Sequence, residues 1–189
     1  MSVDAYQLIR ISVQNGHFAR LEEQWKSQRK SLGFEEEDND YVPMMMMHAR
    51  KIASESPQDP RYGIYALVND KDGECQYEGL VHVNHKLPRT SDSTVRMVWN
   101  ILAPKYDALD REHIAKVISS YLFRGIGLCH SEMPAGTLQV YIQNATDRAY
   151  VSNIAKLFGE FENSEFDNKV TLTVKGLWLF VEGIRPDVA

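Results

Sequence analysis

The stretch ILAPKYDALDREHIAKVI, residues 101–118, decides the fold. Its first residues end an apolar, β-branched run, Thr94–Leu102, with the composition of a strand. Pro104 closes that run, because proline has no N–H to give a sheet ladder. Its last residues open a helical pattern over about 109–123, where Ile114, Val117, Ile118, Tyr121 and Leu122 recur at three- and four-residue steps on one face. Asp107 or Asp110 can cap that helix. Another strand pattern follows at 137–143. Strand, loop, helix and strand in this order predict a parallel pair joined by a right-handed crossover.

The rest of the chain extends this unit on both sides. YQLIRISV, residues 6–13, alternates as a strand does. Asn15 suits the N-cap of a helix over 16–32 that buries Phe18, Leu21 and Trp25 and stops at Gly33. EEEDND, residues 35–40, is a solvated acidic loop. Pro43 opens a second helix, MMMMHARKIASES, because proline suits a first helical turn, and SPQDP at 56–60 ends it. Strands at 62–69 and 77–86 form an antiparallel hairpin around the turn DKDG. The RGIG at 124–127 stands where glycine ends a helix. Past residue 143, Thr146 or Asp147 caps a helix reaching Phe158. Residues 170–181 form a closing strand, to which 159–168 can add a short partner. The order predicts one α/β domain over 1–189 with a mixed sheet.

Composition narrows the function. The 189 residues are 43% apolar and 25% charged, as in globular domains. No apolar run approaches the roughly 20 residues that cross a bilayer, so no membrane association is expected. MSVDAYQLIR lacks a basic segment followed by an apolar one, so no ordinary signal peptide is expected. Cys75 and Cys129 show no metal-ligand spacing and suit two reduced thiols in a cytoplasmic protein. His48, His113 and His130 have no His or Glu partner in ligand register, so no metal site is expected. The net charge of -5 argues against a nucleic-acid partner, because phosphate contacts need a basic patch.

Three short patterns join the element order: Leu102-Ala103-Pro104-Lys105-Tyr106 at a strand end, Asn144 in YIQNA after the next strand, and Phe158-Gly159 after the last helix. Together they resemble the GNAT superfamily of acyl-CoA-dependent N-acyltransferases over nearly the whole chain. The resemblance implies a mixed, mostly antiparallel sheet flanked by helices on both faces and splayed at its middle strands. It implies acetyl-CoA or another acyl-CoA as donor and a small-molecule or protein amine as acceptor. The backbone of Ile101, Leu102 and Ala103 would hold the donor, a backbone N–H there would polarise its carbonyl, and Tyr106 and Asn144 would lie alongside. Lys105, Arg111 and His113 would face the phosphates. The family's phosphate loop reads Arg/Gln-x-x-Gly-x-Gly/Ala, whereas residues 107–113 here read DALDREH, with no glycine and three carboxylates. Carboxylates at a helix start compete with an anion for the same donors. Two alternatives therefore stand beside an active acyltransferase: a binding or regulatory module without catalysis, and a relative using a donor such as an acyl-carrier protein.

Period two sets His82, Asn84 and Lys86 on one face of their strand and Arg96, Val98 and Asn100 on one face of the next. If His82 pairs beside Asn100, the histidine can take a proton from an ammonium, since its ordinary pKa lies near working pH. The alternative is the wet face of an antiparallel sheet. The resemblance implies a tyrosine acid in the last helix; Tyr150 is the tyrosine present, one turn early. Met44–Met47 borders the acceptor side of such a site, or fills core. A homodimer through an exposed final strand is a further expectation.

Overall fold

A computed structural model describes residues 6–34, 41–55, 57–71, 73–108, 111–142, 148–149, 151–152 and 170–186. The elements are β1 (Tyr6–Ile11), α1 (His17–Ser31), α2 (Tyr41–Glu55), β2 (Tyr62–Lys71), β3 (Glu74–Lys86), β4 (Thr94–Leu102), a 3-10 helix (Pro104–Ala108), α3 (Arg111–His130), β5 (Thr137–Tyr141), β6 (Thr171–Lys175) and β7 (Trp178–Glu182). The described strands form one seven-stranded sheet in the order β1-β2-β3-β4-β5-β7-β6, flanked by α1, α2 and α3. β4 and β5 pair in parallel, Thr94–Met97 against Thr137–Val140. β1 with β2, β5 with β7, and β6 with β7 pair antiparallel. This is the mixed, mostly antiparallel α/β sheet that was expected, and the parallel step through α3 falls where residues 101–118 put it.

The chain divides into two compact units. The first comprises Met1–His82 and Asn100–Tyr121. Here α1 buries Phe18, Leu21 and Trp25, the expected stripe. Trp25 Nε1 donates to the Tyr77 carbonyl at 2.9 Å, and Gln24 Oε1 accepts from Tyr77 N at 2.7 Å, which fixes the helix against β3. α2 begins at Tyr41, so Pro43 sits in its first turn, and it buries the small side chains Ala49 and Ala53. Asn15 is not itself the N-cap. Gly16 holds that place, and Asn15 Oδ1 accepts from His17 N at 3.2 Å and from Ser12 N at 3.0 Å.

The second unit comprises Val83–Trp99 and Leu122–Ala189. Two expectations change in it. The helix α3 does not end before the RGIG run but continues to His130. Gly125 sits inside it for packing: a Cβ there would lie 2.6 Å from Met97 Cε and 3.0 Å from Leu138 Cδ2. The closing strand is two strands, because the chain reverses at Gly176 and Leu177 and β6 and β7 pair with each other. The proposed partner strand at 159–168 lies outside the described residues, as does most of the helix expected up to Phe158.

Candidate functional site

The end of β4 and the 3-10 helix after it form the site that the sequence singles out, and both belong to the first unit. β4 is still tied to β3 at its last residues, since Ala103 N donates to the Glu78 carbonyl at 2.9 Å. Pro104 then ends the strand. Lys105 N donates to Gln28 Oε1 of α1 at 3.2 Å. Tyr106 N donates to the Ala103 carbonyl at 3.0 Å, the i to i−3 bond of a 3-10 turn. Three backbone N–H groups that could face an anion are therefore engaged within the protein.

The Lys105 and Tyr106 side chains of this loop turn inward as well, while Asp107 is exposed. Lys105 Nζ lies 2.5 Å from Glu78 Oε2, and Tyr106 donates its hydroxyl hydrogen to the same oxygen at 2.8 Å. Lys105 Nζ also sits 5.4 Å from the centre of the Tyr106 ring. Tyr6 of β1 is also buried, and its phenol pKa is raised by burial first and by the Glu78 charge second. Glu78 is 3% exposed, so this is a buried carboxylate held by an ammonium and a phenol. Burial and the adjacent Glu78 charge raise the Tyr106 phenol far above its ordinary pKa, which keeps it a donor at every working pH. Glu78 neighbours Gly79 on β3, and the glycine is needed there: a Cβ would lie 2.1 Å from Tyr121 Oη and 2.9 Å from the Ile101 carbonyl. The Tyr121 hydroxyl is buried without a hydrogen-bond partner, and its pKa is raised first by burial and then by Glu78.

This geometry does not fit a diphosphate cradle. The Lys105 ammonium was expected to face phosphate, but it is paired with Glu78. Tyr106 was expected beside the donor, but it is buried and bonded to the same carboxylate. Ala103 N is bonded to β3 and has no hydrogen left for a carbonyl. Among the other expected residues, Ile101 is buried, Leu102 is half-buried, and His113 is exposed on the first turn of α3. Arg111 begins α3, but its side chain is outside the described residues, as are Asn144 and Tyr150.

His82 and Asn100 are both half-buried, on β3 and β4. The His82 ring stands edge-on to His48 of α2, with centroids 6.1 Å apart. Burial first, and the neighbouring His48 charge second, push the His82 pKa down to about 4. That lies below the working pH at which the sequence reading placed it. His82 is neutral through the physiological range and is a weak base.

Sequence reading passed over Glu78, Gln28, Tyr121 and the His48 neighbour of His82. The signal for Glu78 was present, because period two places residue 78 on the face of residues 82, 84 and 86. Gln28 and His48 could not be found that way, since they meet the site from other elements. Among the described residues, no group of three His, Cys, Asp or Glu could hold a metal ion, and no helix is long and apolar enough to cross a membrane.

No family model and no curated protein matches the chain. Solved structures do resemble it. One is an acetyltransferase from Thermus thermophilus, 14% identical, covering 96% of this chain and 97% of that one with a TM-score of 0.37. Another is AtaTR bound with AcCoA, 8% identical, covering 95% and 94% with a TM-score of 0.43. A third is a KacTA–DNA complex, 11% identical, covering 77% and 81% with a TM-score of 0.43. The element order, with two early helices, a strand run into β4, a parallel step to β5 and an antiparallel close, is the order that the resemblance implied. The exclusion of a nucleic-acid partner, drawn from net charge alone, does not stand beside that structure. The physical reason is that a net charge of -5 is a sum over the surface and leaves local basic patches open.

Proposed function

We propose that the chain transfers an acyl group from a thioester of the acyl-CoA class to an amine, small or protein-borne, by direct attack. The observation that carries this reading is the course of β4. Its parallel register with β5 covers Thr94–Met97, while the strand runs on to Leu102. Successive N–H groups of a strand point to opposite edges. Ala103 N–H points to β3, so Leu102 N–H points to the other edge, where a thioester carbonyl would be polarised. The amine lone pair would then attack the carbonyl carbon, the C–S bond would break, and the amine proton would pass to water. His82, neutral above about pH 4, would accept a hydrogen bond from the amine and help to orient it.

The closed loop favours a second reading, a thioester-binding module without turnover. Thiol release in the presence of an amine panel separates the two. Binding is tested by thermal shift with acetyl-CoA and longer acyl-CoAs. A ligand at 100 times its Kd stabilises a fold by about 2.7 kcal/mol. A rise in Tm with thiol release supports transfer, and a rise without release supports the module. No rise with any thioester removes both. Two reduced thiols, Cys75 and Cys129, support a cytoplasmic setting, and β6 at the end of the strand order offers an edge for a homodimer.

A further inference from the structure

The loop after β4 already holds an anion, and that anion belongs to the protein. The Glu78 carboxylate takes the Lys105 ammonium at 2.5 Å and the Tyr106 hydroxyl at 2.8 Å, both on Oε2. The backbone carbonyl of the same residue takes Ala103 N, and Gln28 takes Lys105 N. Among residues 103–106, the ammonium, the phenol and the backbone donors of Ala103 and Lys105 close on groups from β3 and α1. A diphosphate arriving at these residues would meet a carboxylate of its own sign, and a donor it gained from them would be taken from an existing bond. Glu78 is itself 3% exposed, so this carboxylate is buried with its two donors.

From this arrangement we infer that Glu78 occupies the loop in place of a phosphate, so that the donor is selected by its acyl-pantetheine arm and not by its diphosphate. The inference rests on the acyl-transfer reading for the arm, and on geometry alone for the loop. It gives the substrate class a chemical definition: an acyl thioester of a pantetheine unit, whether free, nucleotide-linked or carried on a protein. The nucleotide end then adds little to binding.

The test compares acetyl-CoA, S-acetylpantetheine and inorganic pyrophosphate on the wild-type chain by calorimetry. The expected result is equal affinity for the two thioesters within threefold, with no detectable pyrophosphate binding. Acetyl-CoA binding at least tenfold tighter than S-acetylpantetheine, or pyrophosphate competing with acetyl-CoA, overturns the inference and leaves acyl transfer standing. Binding of neither thioester removes both the transfer reading and the donor class. The variant Glu78→Gln removes the internal charge and keeps an acceptor for Tyr106. It should bind acetyl-CoA at least fivefold tighter than S-acetylpantetheine. A ratio still within threefold in a folded Glu78→Gln chain counts against Glu78 as the occupant.

Discussion

Lys105 and Glu78 form an ion pair with unequal burial: the lysine side chain is 34% exposed and the glutamate 4%. That difference determines which half matters more for stability. When Glu78 becomes a neutral amide, Lys105 can turn its ammonium into water, and Tyr106 keeps an acceptor. When Lys105 becomes apolar, Glu78 retains its charge in the interior with one phenol donor. Breaking a buried pair from the side that leaves a charge behind costs about 3–5 kcal/mol. Lys105→Met should therefore cost about 3 kcal/mol or more, and Glu78→Gln about 1–2 kcal/mol. The double variant should cost close to Glu78→Gln alone. Urea denaturation at pH 7 gives all three values, and equal costs for the two single variants would contradict the buried-charge account.

Gly79 and Tyr121 give a second test of the same region. A methyl at residue 79 meets the Tyr121 hydroxyl and the Ile101 carbonyl, and the carbonyl is backbone that cannot step aside. Gly79→Ala should destabilise by about 2–3 kcal/mol, as overpacked cores do. Tyr121→Phe removes a buried hydroxyl that has no partner, so it should be neutral or stabilising by about 1 kcal/mol. In the double variant the phenylalanine should recover part of the Gly79→Ala loss. An additive double variant would mean that the carbonyl contact, and not the hydroxyl, sets the cost.

Gly125 and Gly127 lie one turn from the end of α3 in different surroundings. Nothing stands within 4 Å of a Cβ at Gly127, which is exposed, whereas one at Gly125 meets Met97 and Leu138. Alanine in an exposed helix interior gains about 0.5–1 kcal/mol over glycine. Gly127→Ala should raise Tm by about 1–4 °C in a chain of this size. Gly125→Ala sets the same gain against the Met97 contact, whose end is flexible, and should change Tm little. Gly125→Leu should lower stability by about 2 kcal/mol or more. Thermal melts followed by far-UV circular dichroism report the order, and a Tm that falls in Gly127→Ala would show that the helix does not run through residue 127.

These glycines also show how far the sequence could be read. Thr94–Leu102 was legible residue for residue, because an apolar run bounded by Ser93 and Pro104 has one interpretation. Gly125 and Gly127 looked like a helix end because local propensity ends there, and tertiary packing against Met97 and Leu138 carries the helix on. Residues 170–181 looked like one strand because β-branched and aromatic residues flank Gly176 on both sides, so composition does not mark the turn. At the site, the strand-to-helix junction was legible. The Glu78–Lys105 pair joins β3 to the 3-10 helix after β4, and no periodicity within either segment reports that pairing.

His82 supplies the last prediction, which concerns pH. Its pKa falls from an ordinary 6.5 to about 4 on folding, through burial first and the His48 charge second. A base with a depressed folded pKa takes up its proton in the unfolded chain before it does so in the folded one. Its cost to stability is therefore absent above about pH 6.5 and grows as pH falls toward 4. The ring is half-buried, so solvent screening reduces the effect to about 1–2 kcal/mol between pH 7 and pH 5. Urea midpoints should fall over that interval in the wild type and fall less in His82→Gln. If His82 orients the amine without acting as its base, the transfer rate should follow the free-base fraction of the amine, rising about tenfold per pH unit through neutrality with no break near 6.5. A rate plateau above pH 6.5 that disappears in His82→Gln would instead assign the proton to this histidine.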